Sequence, residues 1–268
     1  MAVSADRFIH DEPALFKASV KFVQKFSTVP DPVLFVSRKA SSENARIAWT
    51  LLGTVLFQSI SYAEFVKVLQ GLFEKFPNEG LWTLPVPRES DVLSVIDSVV
   101  PRWSLKEHAA GIFWSVGSFV RNHKDLSAWI ASRTPREMWR DLGEIYFMGK
   151  SNPRPKACAA IFRLLYGGVT IAKPKEGPLP PLPLTMGARR FLAILGPSKE
   201  HVFSELTAKE KQAMATDYFK ALSPENPYLA AHSLQFFLEN GSEDFICRAQ
   251  TAQCKQCPLY EFCNYGTR

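Results

Sequence analysis

Apolar residues recur along this chain at three- and four-residue intervals, the spacing of a helical face rather than of a strand. Over residues 11–27, Leu15, Phe16, Val20, Phe22, Val23 and Phe26 share one such face. Residues 28–44 are looser, with Pro30, Pro32 and a serine pair. From about Glu43 to Phe57 the chain is strongly apolar, and Ser41 or Ser42 caps the predicted helix. Phe65, Val66, Val68, Leu69, Leu72, Phe73 and Phe76 then form one broad face, preceded by Ser61 and Glu64 at capping-box spacing. Pro77, Pro85 and Pro87 end that helix. Further helices are predicted over 89–98, 104–121, 125–132, 135–147 and 155–166. Thr134-Pro135 supplies a cap and then proline at the first helical position. Trp103, Trp114, Trp129 and Trp139 lie at helical spacing and are expected in the core, as is Cys158.

One stretch breaks the pattern. Residues 169–185 hold five prolines between Pro174 and Pro183, too many for a helix, and predict an extended crossover between two lobes. Helices resume over 186–195, 207–221 and 226–240. Strand-like alternation is scarce, so the expected class is all-α with two helical lobes. Residues 1–44 are expected to be an N-terminal extension packing on the main body. Residues 45–172 form one lobe, 173–246 the second, and 247–268 a terminal cysteine loop.

With 268 residues, 46% of them hydrophobic, the chain can bury a substantial core. No run of about 18 apolar residues exists, so no membrane span is expected. The first residues lack the apolar segment of a secretory signal. The expected setting is therefore intracellular, cytoplasm or nucleoid, and the expected state a monomer. Lys and Arg outnumber Asp and Glu by 32 to 26, a net +6. That excess fits a nucleic-acid partner without requiring one.

Four of the five cysteines crowd the C-terminus: Cys247, Cys254, Cys257 and Cys263, spaced C-x6-C-x2-C-x5-C. In a reducing compartment such clusters are more often metal ligands than disulfides. Four converging thiolates suit tetrahedral zinc or an iron–sulfur cubane. Paired zinc knuckles usually show two CxxC pairs. The single pair here tilts toward a cluster but leaves zinc open.

The stretch AAHSLQFFLENGSEDFICRAQTAQCKQCPLYEFCNY resembles the last helix and iron–sulfur loop of helix–hairpin–helix DNA glycosylases, in the endonuclease III and adenine-glycosylase branch. The resemblance implies a two-lobed all-α fold with double-stranded DNA in the cleft between lobes. It also implies a structural 4Fe–4S cluster on Cys247, Cys254, Cys257 and Cys263. Upstream, WTLLGTVLFQSIS resembles the family helix whose glutamine reaches into the DNA stack, and Gln58 occupies that place. MGKSNPRPKACAAIFRLLYG resembles the hairpin and its second helix, with Lys156 at the lysine that attacks C1′ of the flipped nucleotide in bifunctional members. Such a lysine must be partly neutral, so burial or a neighbouring positive group must lower its pKa. The implied DNA-binding residues are Gln58, Lys150, Ser151, Arg154, Arg189 and Arg190.

Two departures accompany the likeness. The family hairpin uses glycines whose N–H groups approach a phosphate, whereas residues 150–155 include two prolines that lack that donor. The family aspartate after the crossover falls here on Leu184 or Thr185, and no acid occurs from Gly177 to Lys199. Asp141, Glu144 and Glu176 are the nearest acids in sequence. The expected function is thus a DNA N-glycosylase of base-excision repair, bifunctional if Lys156 is a Schiff-base nucleophile. The alternative is a diverged DNA-binding protein that lacks the catalytic aspartate.

Overall fold

The apolar stretch after Ser42 becomes helix α4 (Glu43–Leu56), and little of it meets solvent. Ile47, Trp49, Leu51, Leu52, Val55 and Leu56 are wholly buried. A helix apolar on most of its surface belongs at the centre of a lobe, and each such Leu or Ile contributes about 1.5–3 kcal/mol through burial. These coordinates come from a computed structural model, which describes residues 5–58, 60–149, 154–196, 207–237 and 254–263. Ser42 rather than Ser41 is the cap: its Oγ accepts the Ala45 N–H at 3.0 Å.

Seven helices surround α4 in sequence: α3 (Pro32–Ser37), α5 (Tyr62–Lys75), α6 (Glu89–Val99), α7 (Lys106–His123), α8 (Leu126–Ser132), α9 (Pro135–Asp141) and α10 (Pro155–Tyr166). Helices α3, α7, α8 and α10 pack directly on α4. Gly53 allows the α3 approach, since a Cβ there would stand 2.9 Å from Val33 Cγ1. The capping boxes at Ser61–Glu64 and Thr134–Glu137 both form. Helix α3 occupies the stretch that looked loose. Asp31 Oδ1 accepts the N–H groups of Val33 and Leu34, and Pro32 fills the first turn, where its missing donor costs nothing.

Asp31 has a second role. Its Oδ2 accepts Arg163 Nε at 2.8 Å, with both side chains about 5% exposed, and Arg163 Nη1 donates to Thr54 Oγ1 at 3.2 Å. This buried pair ties α3, α4 and α10 together. The crossover begins on the same lobe. The Glu43 carboxylate accepts the Thr170 hydroxyl and the Ile171 N–H, at 2.7 Å for the latter, and the Thr170 bond holds its pKa below the usual range.

The predicted helix over 135–147 is shorter than its pattern. It stops at Asp141 and continues as a 3-10 turn, Leu142–Glu144. A Cβ on Gly143 would collide with the Arg154 guanidinium, which fills the space beside it. Trp114 is corrected as a core residue: Trp103 and Trp129 are buried, but Trp114 is 70% exposed.

A second compact unit joins the described parts of 1–30 and 181–268, while 31–180 forms the first. These divisions fall at 30/31 and 180/181, against 44/45 and 172/173 in the sequence pattern. The second unit contains α1 (Ala5–Asp11), α2 (Pro13–Phe26), α11 (Met186–Ile194), α12 (Ala208–Leu222) and α13 (Pro227–Leu234). Its core is aromatic. Phe8 and Phe16 set their edges against Tyr218, and Phe22 and Phe191 against Phe237. Ser233 Oγ donates to Val23 O at 3.1 Å, so the chain's first helices are bound to some of its last. Helix α13 ends at Leu234, short of the predicted residue 240, and residues 235–237 form a turn.

Among the described residues there are thirteen α-helices, three 3-10 turns and no strand, so the chain is all-α. None of these helices is long and apolar enough to cross a membrane.

Candidate functional site

Helix α10 starts after a strained approach. Phe147 (φ 67°), Gly149 (φ 100°) and Arg154 (φ 49°) all have positive φ, which costs energy at the two non-glycine positions and clusters at functional sites. Pro155 then opens the helix. The face carrying Ala157, Cys158, Ala160, Ile161 and Leu164 is buried, and α10 packs against α4. Cys158 is 1% exposed, and burial pushes its thiol up to about 12, as suits a core residue.

That packing carries Lys156 to the C-terminal end of α4. Its Nζ donates to Val55 O at 3.1 Å and to Gln58 Oε1. The Val55 carbonyl lies in the last turn of α4, the negative end of the helix dipole. Gln58 follows the helix directly, where Trp103 Nε1 donates to its carbonyl at 3.0 Å. The Nε2 of the Gln58 side-chain amide is buried with no partner, a condition that costs about 1–3 kcal/mol. Burial lowers the Lys156 pKa from 10.5 to about 8. About a tenth of the amine is then neutral at pH 7, and about half at pH 8.

The Lys156 amine also stands 5.6 Å from the centre of the Phe147 ring. The His108 ring lies 4.9 Å from the same ring. Phe147, His108, Ser115, Glu144, Tyr146 and Trp114 border an open cavity of about 770 Å³. The Tyr146 N–H donates to Ser115 Oγ at 2.8 Å, which fixes one wall. Tyr146 is 45% exposed, whereas Met148 is wholly buried. His108 could not be singled out from the sequence: it sits in the first turns of an amphipathic helix with no motif around it.

Arg154 is committed to the protein: its guanidinium stacks 4.3 Å above the Trp139 ring, and Nη1 donates to Trp139 O at 3.2 Å. Arg189 and Arg190 are exposed on α11 in the second unit. Lys150 and Ser151 lie outside the described residues, as does Cys247. At the positions expected for an aspartate, Thr185 Oγ1 caps α11 by accepting the Ala188 N–H at 3.2 Å, and Leu184 beside it is half-buried. Asp141 is occupied: its Oδ2 accepts Arg133 Nε at 2.9 Å and Trp129 Nε1 at 3.2 Å. Glu144 is the acid that borders the cavity.

Cys254, Cys257 and Cys263 occur in two short 3-10 turns, Cys254–Gln256 and Tyr260–Phe262, and the residue after them. All three are free thiols. Burial raises the Cys257 pKa, and the nearby Cys263 and Cys254 add to the rise, so the three thiols sense one another. Lys25 Nζ donates to Gln256 O at 3.0 Å and ties these turns to α2. Among the described residues, no three His, Cys, Asp or Glu side chains are drawn together tightly enough to hold a metal ion.

No protein-family model matches this chain, and no curated protein matches it either.

Proposed function

We propose that this chain is a DNA-repair protein of the helix–hairpin–helix glycosylase type, in which Lys156 forms an imine with C1′ of a damaged or abasic nucleotide. The observation that carries this reading is the Lys156 amine: half-buried, lowered to about 8, and held by Gln58 Oε1 and Val55 O. About a tenth of such an amine is the free base at pH 7, far more than of an ordinary lysine, and it is held in place, the two requirements of a Schiff-base nucleophile. The neutral nitrogen bonds to C1′ as the base leaves and the sugar ring then opens to the imine, or it adds to the C1′ aldehyde of an abasic site and loses water; loss of a C2′ proton from the imine then expels the 3′ phosphate and breaks the strand. The basic excess of the chain and the likeness of its C-terminal loop to the family point to duplex DNA as the partner.

One observation favours a narrower activity. Base excision develops positive charge on the sugar, and a carboxylate placed there is worth about 3–4 kcal/mol by analogy with other single electrostatic contacts. The expected aspartate position is a helix cap, and Asp141 is held by Arg133 and Trp129. An abasic site already presents an aldehyde and needs no such help. The strand-cleaving step is therefore expected to be stronger than release of an intact base. Borohydride trapping tests both steps: a covalent adduct should form on duplex DNA with an abasic site, with weaker or no adduct on a panel of damaged bases. Absence of an adduct on every substrate, with salt-sensitive duplex binding retained, would leave the diverged DNA-binding reading in its place.

The thiols of Cys247, Cys254, Cys257 and Cys263 would hold a 4Fe–4S cluster. Its contribution there is structural: it closes a loop too short to fold by burial alone. Protein purified without air exposure should be brown and contain iron and acid-labile sulfide, and Cys257→Ser should lose both. A colourless protein with one zinc per chain would reassign the centre.

A further inference from the structure

Gln58 and Lys156 are 98 residues apart in sequence and meet at one amine. A neutral primary amine has two N–H bonds and one lone pair. Val55 O and Gln58 Oε1 are both acceptors and engage both N–H bonds. The lone pair is left to point away from both, toward whatever approaches the amine. The Gln58 Nε2 is one bond angle from the Oε1 that holds the amine, and it is a buried donor with no partner. Buried donors are nearly always paired, so an unpaired one beside a nucleophile marks a place for an acceptor oxygen.

We propose that Gln58 positions Lys156 for attack on an aldehyde, with Gln58 Nε2 as the donor that receives the aldehyde oxygen. This rests on the imine chemistry proposed for Lys156. As the Lys156 nitrogen forms its bond to the carbonyl carbon, the carbonyl π pair moves to oxygen, and charge grows where Nε2 can donate. The oxygen takes up a proton and the nitrogen loses one, giving a carbinolamine. Loss of the hydroxyl with the second amine proton, as water, leaves the imine. Amine plus aldehyde thus becomes imine plus water, with no oxidant or reductant. The Nε2 has no exposed surface in the unliganded chain. Gln58 lies beyond the last turn of α4, so a turn of its side chain toward the entering oxygen breaks no helical hydrogen bond.

The test uses the full chain, formaldehyde and cyanoborohydride, with reaction at Lys156 read by peptide mass spectrometry across pH. In the wild type the Lys156 rate should rise about tenfold per pH unit and level off above about 8. Gln58→Leu removes both contacts, and its plateau rate should fall by at least about tenfold, although the amine there is fully neutral. Gln58→Glu sets a carboxylate against the amine, which favours the ammonium, and should move the midpoint up by about one pH unit or more. A merely structural role leaves the plateau rate of Gln58→Leu unmoved. A folded Gln58→Leu protein with a plateau within about twofold of wild type overturns the proposal. So does an unmoved midpoint in Gln58→Glu, the deciding measurement if the leucine variant does not fold. Formaldehyde carries no DNA. A normal Gln58 dependence without any trapped DNA adduct would reject the repair activity and leave the Gln58–Lys156 couple standing.

Discussion

Lys156→Ala is expected to remove the borohydride-trapped adduct on abasic-site DNA, with a loss of at least about 10³-fold. Lys156→Arg should fail equally, because arginine keeps the charge and never presents a free lone pair near neutral pH. Duplex binding should persist in both variants, since the amine is one contact among many. In the wild type, adduct formation should climb with pH and level off near 8, as the neutral fraction of Lys156 saturates. The same amine predicts a stability effect of defined sign. Its pKa is 10.5 when unfolded and about 8 when folded. Below pH 8 both states carry the charge, and the folded state bears its full desolvation cost. Between about 8 and 10.5 the unfolded state binds more protons, so stability rises with pH through that window. The full shift corresponds to about 3 kcal/mol, which solvent screening of a part-exposed amine reduces to about 1–2 kcal/mol. Against Lys156→Met, the wild type should therefore gain that amount from pH 8 to 10.5 in denaturant unfolding. A constant difference between the two across that range would contradict the burial argument.

Asp31→Ala should destabilise the protein by about 3–5 kcal/mol. The substitution leaves the Arg163 guanidinium buried without its carboxylate and also removes the cap of α3. A cap alone is worth about 1 kcal/mol, so most of the loss comes from the stranded charge. Asp31→Asn keeps an acceptor for the cap and isolates the charge contribution. The double variant Asp31→Asn with Arg163→Met should recover much of the stability, because a buried ion pair exchanged for apolar packing is often nearly neutral. Urea unfolding of the four proteins measures each step. A double variant no better than Asp31→Ala would show that the pair itself, rather than the stranded charge, supports the lobe. Helix α10 carries both Arg163 and Lys156, so the single variant should also weaken the amine's placement.

Several features needed no coordinates. The run from Glu43 to Phe57 reads as a largely buried helix, because, apart from Asn44, only the narrow stripe of Glu43, Arg46, Thr50 and Thr54 is polar. The capping boxes at Ser61–Glu64 and Thr134–Glu137 rest on local geometry and form where their spacing puts them. The prolines from Pro174 to Pro183 exclude a helix by chemistry alone. Gln58 and Lys156 stood out on separate stretches, each by its own local likeness. Helix α3 was hidden because Pro30 and Pro32 looked like breakers, although Asp31-Pro32 is a good helix start once Asp31 is seen as a cap.

Local patterns by themselves determine where this chain is helical, which segments are apolar, and which thiols lie close along the backbone. Those properties depend on neighbours within a turn or two, and such neighbours are written in order. The tertiary structure alone decided that Gln58 grips the Lys156 amine, that Asp31 faces Arg163, that Trp114 stays outside, and that the first helices join the last. Each of these depends on burial or on a partner many tens of residues away. The lowered pKa of Lys156 is the clearest case. Lysine in a helix's first turn is ordinarily solvated, and only the packing of α10 on α4 withdraws this one from water.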